Sequence, residues 1–210
     1  MSDQAAEAPV TPKAAYHHGD LRAQLIEAVR DLVETHGPDG FSVAEAARRA
    51  GVSSAAPYKH FKDRPDILRA VAGEGMDRLR VAMEQAAAAH PVGSLEAVAA
   101  IGLAYVDFAR TEPGVFRLVF GLTEGHENAP DLQEKGECCF GVVVKAVADR
   151  LKRPTNDPLV QRRAYMLWSF VHGHSFLHID GKTRVSAARI DDWLYLTEIS
   201  KGVLATLPGA

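Results

Sequence analysis

The 210-residue sequence predicts an all-α protein, on three observations. Alanine is abundant, and no long alternating run of β-branched residues bounded by turns appears. Apolar residues recur instead at helical spacing, in segment after segment. Those segments open on Ser or Asp and close before Gly or Pro, the residues that start and stop helices. At 47% hydrophobic and 24% charged residues, the composition is that of an ordinary globular protein with ample material for a core. The length accommodates one large domain, or a small one followed by a larger one.

Residues 1–16, rich in Ala, Pro and polar side chains without periodicity, read as a disordered arm. Lys13, Tyr16, His17 and His18 at its end could reach into a groove of a nucleic acid, or belong to a tail without partners. Helix one opens on Asp20 and runs to about His36, with Gly37 after it. Leu21, Leu25, Ala28, Val29, Leu32 and Val33 form its apolar stripe. A long helix opens on Asp63, tolerates Pro65 in its first turn and runs to about Ala89 through Ile67, Leu68, Val71, Leu79, Met83 and Ala86. Gly73 and Gly75 inside it mark either a soft place or a tight packing contact. Further helices are expected from Ser94 to about Arg110, Pro113 to Phe120, Asp131 to about Lys152, Pro158 to about Ile179 and Arg189 to about Leu207, with a polar loop over 123–130.

Between the first helix and the long one lies FSVAEAARRAGVSSAAPYKHF, residues 41–61. Ser42 can cap a short helix, with Glu45 completing a capping box and Val43, Ala46, Ala47 and Ala50 as a small buried face. Gly51 stops it, Val52 plugs the corner, and Ser53 or Ser54 caps a second helix to about His60. Two short helices around a Gly corner describe a helix-turn-helix. The second helix would present Ser54, Ala55, Pro57, Tyr58, Lys59 and His60, followed by Lys62. Small hydroxyl and methyl groups fit close to base edges, while Tyr58, Lys59 and Lys62 can reach phosphates. The formal net charge of −3 argues against a charge-driven nucleic-acid binder. Yet residues 46–64 carry five basic residues (Arg48, Arg49, Lys59, Lys62, Arg64) against one acid, Asp63. A local basic face on a mildly acidic protein suits specific contacts with few phosphates.

Helix one, the AARRAGVSSAAPYKHFKDRPDIL run and the long helix resemble the N-terminal domain of TetR-family transcriptional regulators, over residues 17–79. Arg64 stands where that family usually has lysine, and Pro57 where many members have a glycine, threonine or similar residue. The YHHGDL opening, the AAPY form and a Trp-x-x-x-His-Gly pattern at Trp168, His172 and Gly173 resemble one branch of the family. The resemblance implies a homodimer reading a pseudo-palindromic operator in double-stranded DNA, with Ser42 and Ser53 joining the residues above at the DNA. It also implies an effector-binding and dimerisation domain over residues 80–210. The last two helices would then form a four-helix bundle with those of a second subunit, through Tyr165, Ser169, Gly173, Trp193, Leu196, Ile199 and Val203. Repression rather than activation is chosen on family frequency alone.

Tyr105, Phe108, Phe116, Phe120, Phe140, Trp168, His172 and Phe176 either form plain core or line a cavity for a small, largely apolar effector, with His172 as the polar candidate. His174 and His178 stand four residues apart on one helix, a spacing that can chelate a metal, but no acid or cysteine follows at ligand spacing and no metal or other cofactor is expected. The adjacent Cys138 and Cys139 are unsuited to an ordinary structural disulfide and fit a reducing cytoplasm; a redox-sensing role would need a lowered thiol pKa. No signal peptide and no run of roughly 18 apolar residues is expected to direct the chain to a membrane. The competing reading is a helical binding or enzymatic protein whose helix-turn-helix is incidental. No nucleophile elbow, phosphate loop or paired-carboxylate motif supports catalysis.

Overall fold

The apolar stripe of the first helix needs a partner surface, and the chain folds so that the next sixty residues supply it. The computed structural model describes residues 21–121, 129–185 and 190–205. The expected arm, the Asp20 cap, most of the 123–130 loop and the limits at Arg189 and Leu207 lie outside them. Helix α1 (Leu21–Gly40) buries Leu25, Ile26, Val29, Leu32 and Val33, each burial stabilising by about 1.5–3 kcal/mol relative to exposure. The helix is interrupted at Gly37, whose φ of 74° only glycine adopts readily, so the stop expected there is a kink with Pro38 just beyond it. Phe41 and Phe61 close the two flanks of the next unit, buried and each covered by a guanidinium: Arg64 lies 4.6 Å from the Phe41 ring centroid and Arg22 5.2 Å from that of Phe61.

Helix α2 (Val43–Arg49) buries Val43, Ala46 and Ala47. It ends in a Schellman motif: Val52 N–H donates to the Ala47 carbonyl (2.9 Å) and Gly51 N–H to that of Arg48 (3.1 Å), with Gly51 at φ 70°. The expected capping box does not form. The Ser42 side chain makes no cap bond, and the Glu45 carboxylate, the other half of the box, is drawn to Arg49 (3.2 Å) and Arg48 (3.7 Å). The expected second helix is also corrected. Residues 53–60 form successive turns around a single 3-10 turn, Pro57–Lys59. Pro57 has no N–H to donate to Ser53, so the ladder breaks there; Ala56 N–H bonds Ser53 O at 3.0 Å, and the chain resumes with His60 and Phe61 N–H both on Pro57 O at 2.9 Å.

Asp63 caps α3 (Arg64–Ala88) by accepting from Asp66 N–H, as expected, with Pro65 in the first turn. Ser94 caps α4 (Leu95–Thr111), α5 spans Pro113–Phe120, α6 spans Pro130–Leu151, and Asp157 caps α7 (Pro158–Ile179). Asp191 caps α8 (Asp192–Leu204), preceded by a short 3-10 turn at Lys182–Val185. Helix α3 lies against α1, α4, α5 and α6, while α4 also packs on α7 and α8, so the body is a helical bundle around α3 and α4. Among the described residues there is no strand, and no helix is long and apolar enough to cross a membrane.

The glycines in α3 mark contact rather than softness. A Cβ on Gly75 would stand 2.5 Å from Val115 Cγ1, so its absence lets α5 lie against α3. At Gly114, in the first turn of α5, a Cβ would stand 2.5 Å from the Val33 carbonyl oxygen, where backbone meets backbone. Replacing Gly114 by Ala is expected to lower stability by about 1–3 kcal/mol in urea unfolding. Gly141→Ala, at a helical site with no atom within 4 Å, should raise it by about 0.5–1 kcal/mol.

A candidate reading head, its joint and an apolar cavity

The corner at Gly51 and the 3-10 turn together hold a short segment away from the core. Ser53, Ser54, Ala55, Tyr58, Lys59, His60 and Lys62 are all exposed, and Ser42, freed from capping, is exposed beside them. Tyr58 keeps 57% of its surface open to solvent, unusual for a large aromatic without a partner. Pro57 departs from the expectation: it is buried, so it supports the turn and is withdrawn from the candidate contact residues. Among the described residues no acid pairs with Lys59 or Lys62, whereas Arg64 is committed to the Pro38 carbonyl (2.5 Å) and the Phe41 ring. The available cations are thus fewer than the basic count of the stretch suggested.

Helix α3 runs from this head into the body, and a carboxylate on α1 adds a second, polar link. Glu34, on α1, accepts from the N–H groups of Gly114 and Val115 at 2.8 Å each, capping the N-terminus of α5 from outside the helix. A carboxylate there meets both unsatisfied amides and the positive end of the helix dipole. Arg78 of α3 adds a bidentate pair with Glu112, just before α5, at 3.0 and 2.6 Å. Nothing in the sequence around Glu34 marks this role, since its partners lie eighty residues downstream.

The other end of α5 carries Phe120, which lines a cavity of about 300 Å³. Its walls are Met76 and Met83 from α3, Tyr105 from α4, a row from Leu132 to Val143 on α6, and Trp168 from α7. Of the eight candidates, Tyr105, Phe120, Phe140 and Trp168 face this space. Phe108 and Phe116 are buried in the core, and Phe176 and His172 stand behind the wall. His172 is ringed by aromatics, with Phe176 at 5.0 Å, Phe120 at 5.2 Å and Trp168 at 5.5 Å between centroids. Burial pushes its pKa down and that of the Tyr105 phenol up. Both groups are thus held in their neutral forms, and the Tyr105 hydroxyl and His172 Nδ1 share a hydrogen bond at 2.8 Å. Cys139, also on the wall, donates its thiol to the Met76 carbonyl (3.3 Å), and burial pushes it up to about 11. That is the reverse of what a reactive thiol needs. Cys138 is exposed.

The outer faces of α7 and α8 carry Tyr165, Phe170, Leu177, Trp193 and Leu194 open to solvent, with Ile190 exposed just before α8, Ser169 and Gly173 exposed on α7 and Ile199 half-buried. Leu196 and Val203 were expected on this face and are instead buried within the subunit, Leu196 against Gly102 of α4. Phe170 and Leu177 were missed, though they share a helical stripe with Gly173.

A polar network fixes this face to α4. Asp192 Oδ1 meets His174 Nε2 at 2.8 Å, its other oxygen accepts from Arg110, and Arg110 Nε donates to His178 Nε2 at 3.0 Å. The two imidazoles are therefore committed to separate partners with a guanidinium between them, an arrangement unsuited to a chelated cation. Burial works to raise the Asp192 carboxyl, but hydrogen bonds from His174 and Arg110 outweigh it and hold the group below its ordinary range. A depressed carboxyl stabilises the fold above its unfolded-state pKa of about 4 and loses that contribution as pH falls through the folded value. Asp192→Asn is accordingly expected to lower the melting temperature at pH 7. The gap from the parent protein should close as both are acidified below about pH 4; a gap constant from pH 7 to 3 would contradict this.

Comparison with known proteins places these features. Residues 25–71 match the family model described as bacterial regulatory proteins, tetR family, and residues 98–196 match a tetracyclin repressor-like C-terminal domain. A protein of unknown function from Rhodococcus sp. RHA1 is 30% identical, with 91% of this chain and 97% of that one covered, at a TM-score of 0.77. A tetR-family transcriptional regulator from Streptomyces coelicolor shares the fold at TM-score 0.68 and 16% identity, over 88% of this chain and 78% of that one. FadR from Bacillus subtilis, solved in complex with stearoyl-CoA, does so at 0.67 and 15%, over 89% and 99%. No curated protein matches. With its N-terminal domain and most of its body matched in this way, the chain belongs to the TetR family of transcriptional regulators and carries that family's helix-turn-helix DNA-binding domain.

Proposed function

We propose that the protein is a cytoplasmic, ligand-responsive repressor that binds a pseudo-palindromic operator as a homodimer and is released when a small, largely apolar effector fills the cavity. The observation that carries this reading is the placement of α5. One end is held on α1 through Glu34, its flank rests on Gly75 of α3, and its other end puts Phe120 into the cavity wall. An occupant that displaces Phe120 therefore pushes a short rigid helix whose far end grips the reading head. Sites become coupled when a ligand favours one of two arrangements of such an element. The exposed apolar face on α7 and α8 supports pairing of two subunits, since contiguous apolar surface of this kind marks association. Two heads are needed because one short turn buries too little for specific affinity. Trp168 and His172, at and behind the cavity wall, are compatible with the branch of the family whose Trp-x-x-x-His-Gly pattern the sequence carries.

In this reading Ser42, Ser53, Ser54, Ala55, Tyr58, Lys59, His60 and Lys62 meet DNA. Lys59→Ala should weaken binding to all sequences alike and reduce the salt slope by about one, whereas changes at Ser54 or Ala55 should alter sequence preference. Footprinting beside the protein's own gene tests the operator itself, and an absence of any protected palindrome would remove the regulatory reading. Paired Leu177→Glu and Trp193→Glu changes should give a monomer by sedimentation equilibrium and abolish operator binding. Replacing Glu34 by Ala should leave effector binding in place but cut the ligand-induced loss of operator affinity at least about fivefold, the lower range of coupling energies. An unchanged response would place the route elsewhere.

A further inference from the structure

The cavity wall is unusual in what it lacks. Its lining side chains are Met76, Met83, Leu132, Val143 and Cys139, the rings of Tyr105, Phe120, Phe140 and Trp168, and the Gln133 amide beside Gly136, with no charged group among them. Three of the polar groups present are engaged, the Tyr105 hydroxyl with His172, the Cys139 thiol with the Met76 carbonyl, and the Gln133 amide nitrogen with Glu137 at 3.0 Å, and the Trp168 indole and the Gln133 amide oxygen are neutral. Cations on the neighbouring turns of α3 and α6 are also taken. Arg78 is paired with Glu112 at 2.6 Å, Arg80 with Glu84 at 2.8 Å, and Lys135 with Asp77. An ionised ligand placed here would lose its water and find no counter-charge, the most costly way to bury a charge.

Shape and polarisability narrow the class further. An apolar cavity of about 150 Å³ takes one benzene. Twice that volume, with three sulfur atoms and four rings around it, takes two fused rings and packs them edge and face against sulfur and aromatic carbon. It is too small for a stearoyl chain with its coenzyme.

Resting on the reading of this cavity as the effector site, we infer that the protein selects a neutral aromatic molecule of about two fused rings and rejects the same skeleton bearing a carboxylate. Selection is by exclusion: Phe120, Phe140, Trp168 and the two methionines supply contact, and the missing counter-charge supplies discrimination.

Isothermal titration of the whole protein at pH 7.4 with 1-naphthalenemethanol, 1-naphthoate, 1-naphthylmethylamine, decanoate and stearoyl-CoA tests this. The alcohol should bind, and naphthoate at least about 100-fold more weakly, equivalent to about 2.7 kcal/mol. A Gly136→Leu variant should lose the alcohol. Gly136 has Met76 Cε 3.9 Å from where its Cβ would stand, so a larger side chain there grows into the cavity from a helical site that accepts it. Its melting temperature without ligand reports that it folds; should it not, Phe140→Ala provides the second test, with weaker binding of the alcohol expected. Equal or tighter binding of naphthoate, of the ammonium form of the amine, of decanoate or of stearoyl-CoA would overturn the inference, as would no binding by the alcohol. Operator anisotropy on the same solutions separates the two readings. If decanoate or stearoyl-CoA binds and releases DNA, ligand response stands and the selectivity falls; if the alcohol binds and DNA stays, the selectivity stands and ligand response falls.

Discussion

The Glu34 carboxylate on the amides of Gly114 and Val115 is the contact on which the remainder depends. It joins a helix of the N-terminal domain to a helix of the body, and it does so where the two backbones come close, because Gly114 has no side chain to hold them apart. Charge-assisted bonds to helix-terminal amides are strong and directional. The joint adds a directional polar contact to the apolar packing of α1 on α5, and in the proposed reading it is the link through which a displacement of α5 would reach α1. Gly75 gives α5 a second seat on α3. Between these seats α5 is held along its length, and its Phe120 end meets the cavity.

The reading head is built with unusual economy. Pro57 forbids a continuous second helix, and the segment is stabilised instead by burying the proline itself and by hydrogen bonds that pass around it. What remains outward is short: small side chains at 53–55 and the Tyr58–Lys59–His60 turn. Proline also lowers the conformational freedom of the unfolded segment, so the turn costs less to order than its length suggests. The flanking Phe41 and Phe61, each under a guanidinium, hold its ends.

Much of this was legible in the sequence because caps and stripes are local. Asp63, Ser94 and Asp157 cap where expected, α5 and α7 have the expected limits, and Gly51 turns the corner. The failures have physical causes. Ser42 and Glu45 fit a capping box on paper, but two arginines on the same helix compete for the acid. Periodicity showed that α7 and α8 are apolar on more than one side without saying which side its own chain covers, so Leu196 and Val203 were placed outward while Phe170 and Leu177 were overlooked. An aromatic residue looks the same in sequence whether it packs in a core or faces a void; Phe116 is the first and Phe120 the second. Glu34 was invisible because its meaning lies in long-range contact.

The central proposition is mechanical: two reading heads, carried by one dimer, change their separation when the cavity fills. Spin labels at Ser54→Cys, with Cys138 and Cys139 replaced by serine, measure that separation directly by pulsed dipolar spectroscopy. The expected result is a narrow inter-subunit distance on operator DNA, on the order of 35 Å or a small multiple of it, that shifts when a ligand that releases the DNA is added. No dipolar signal, or one distance unchanged by such a ligand, would contradict it.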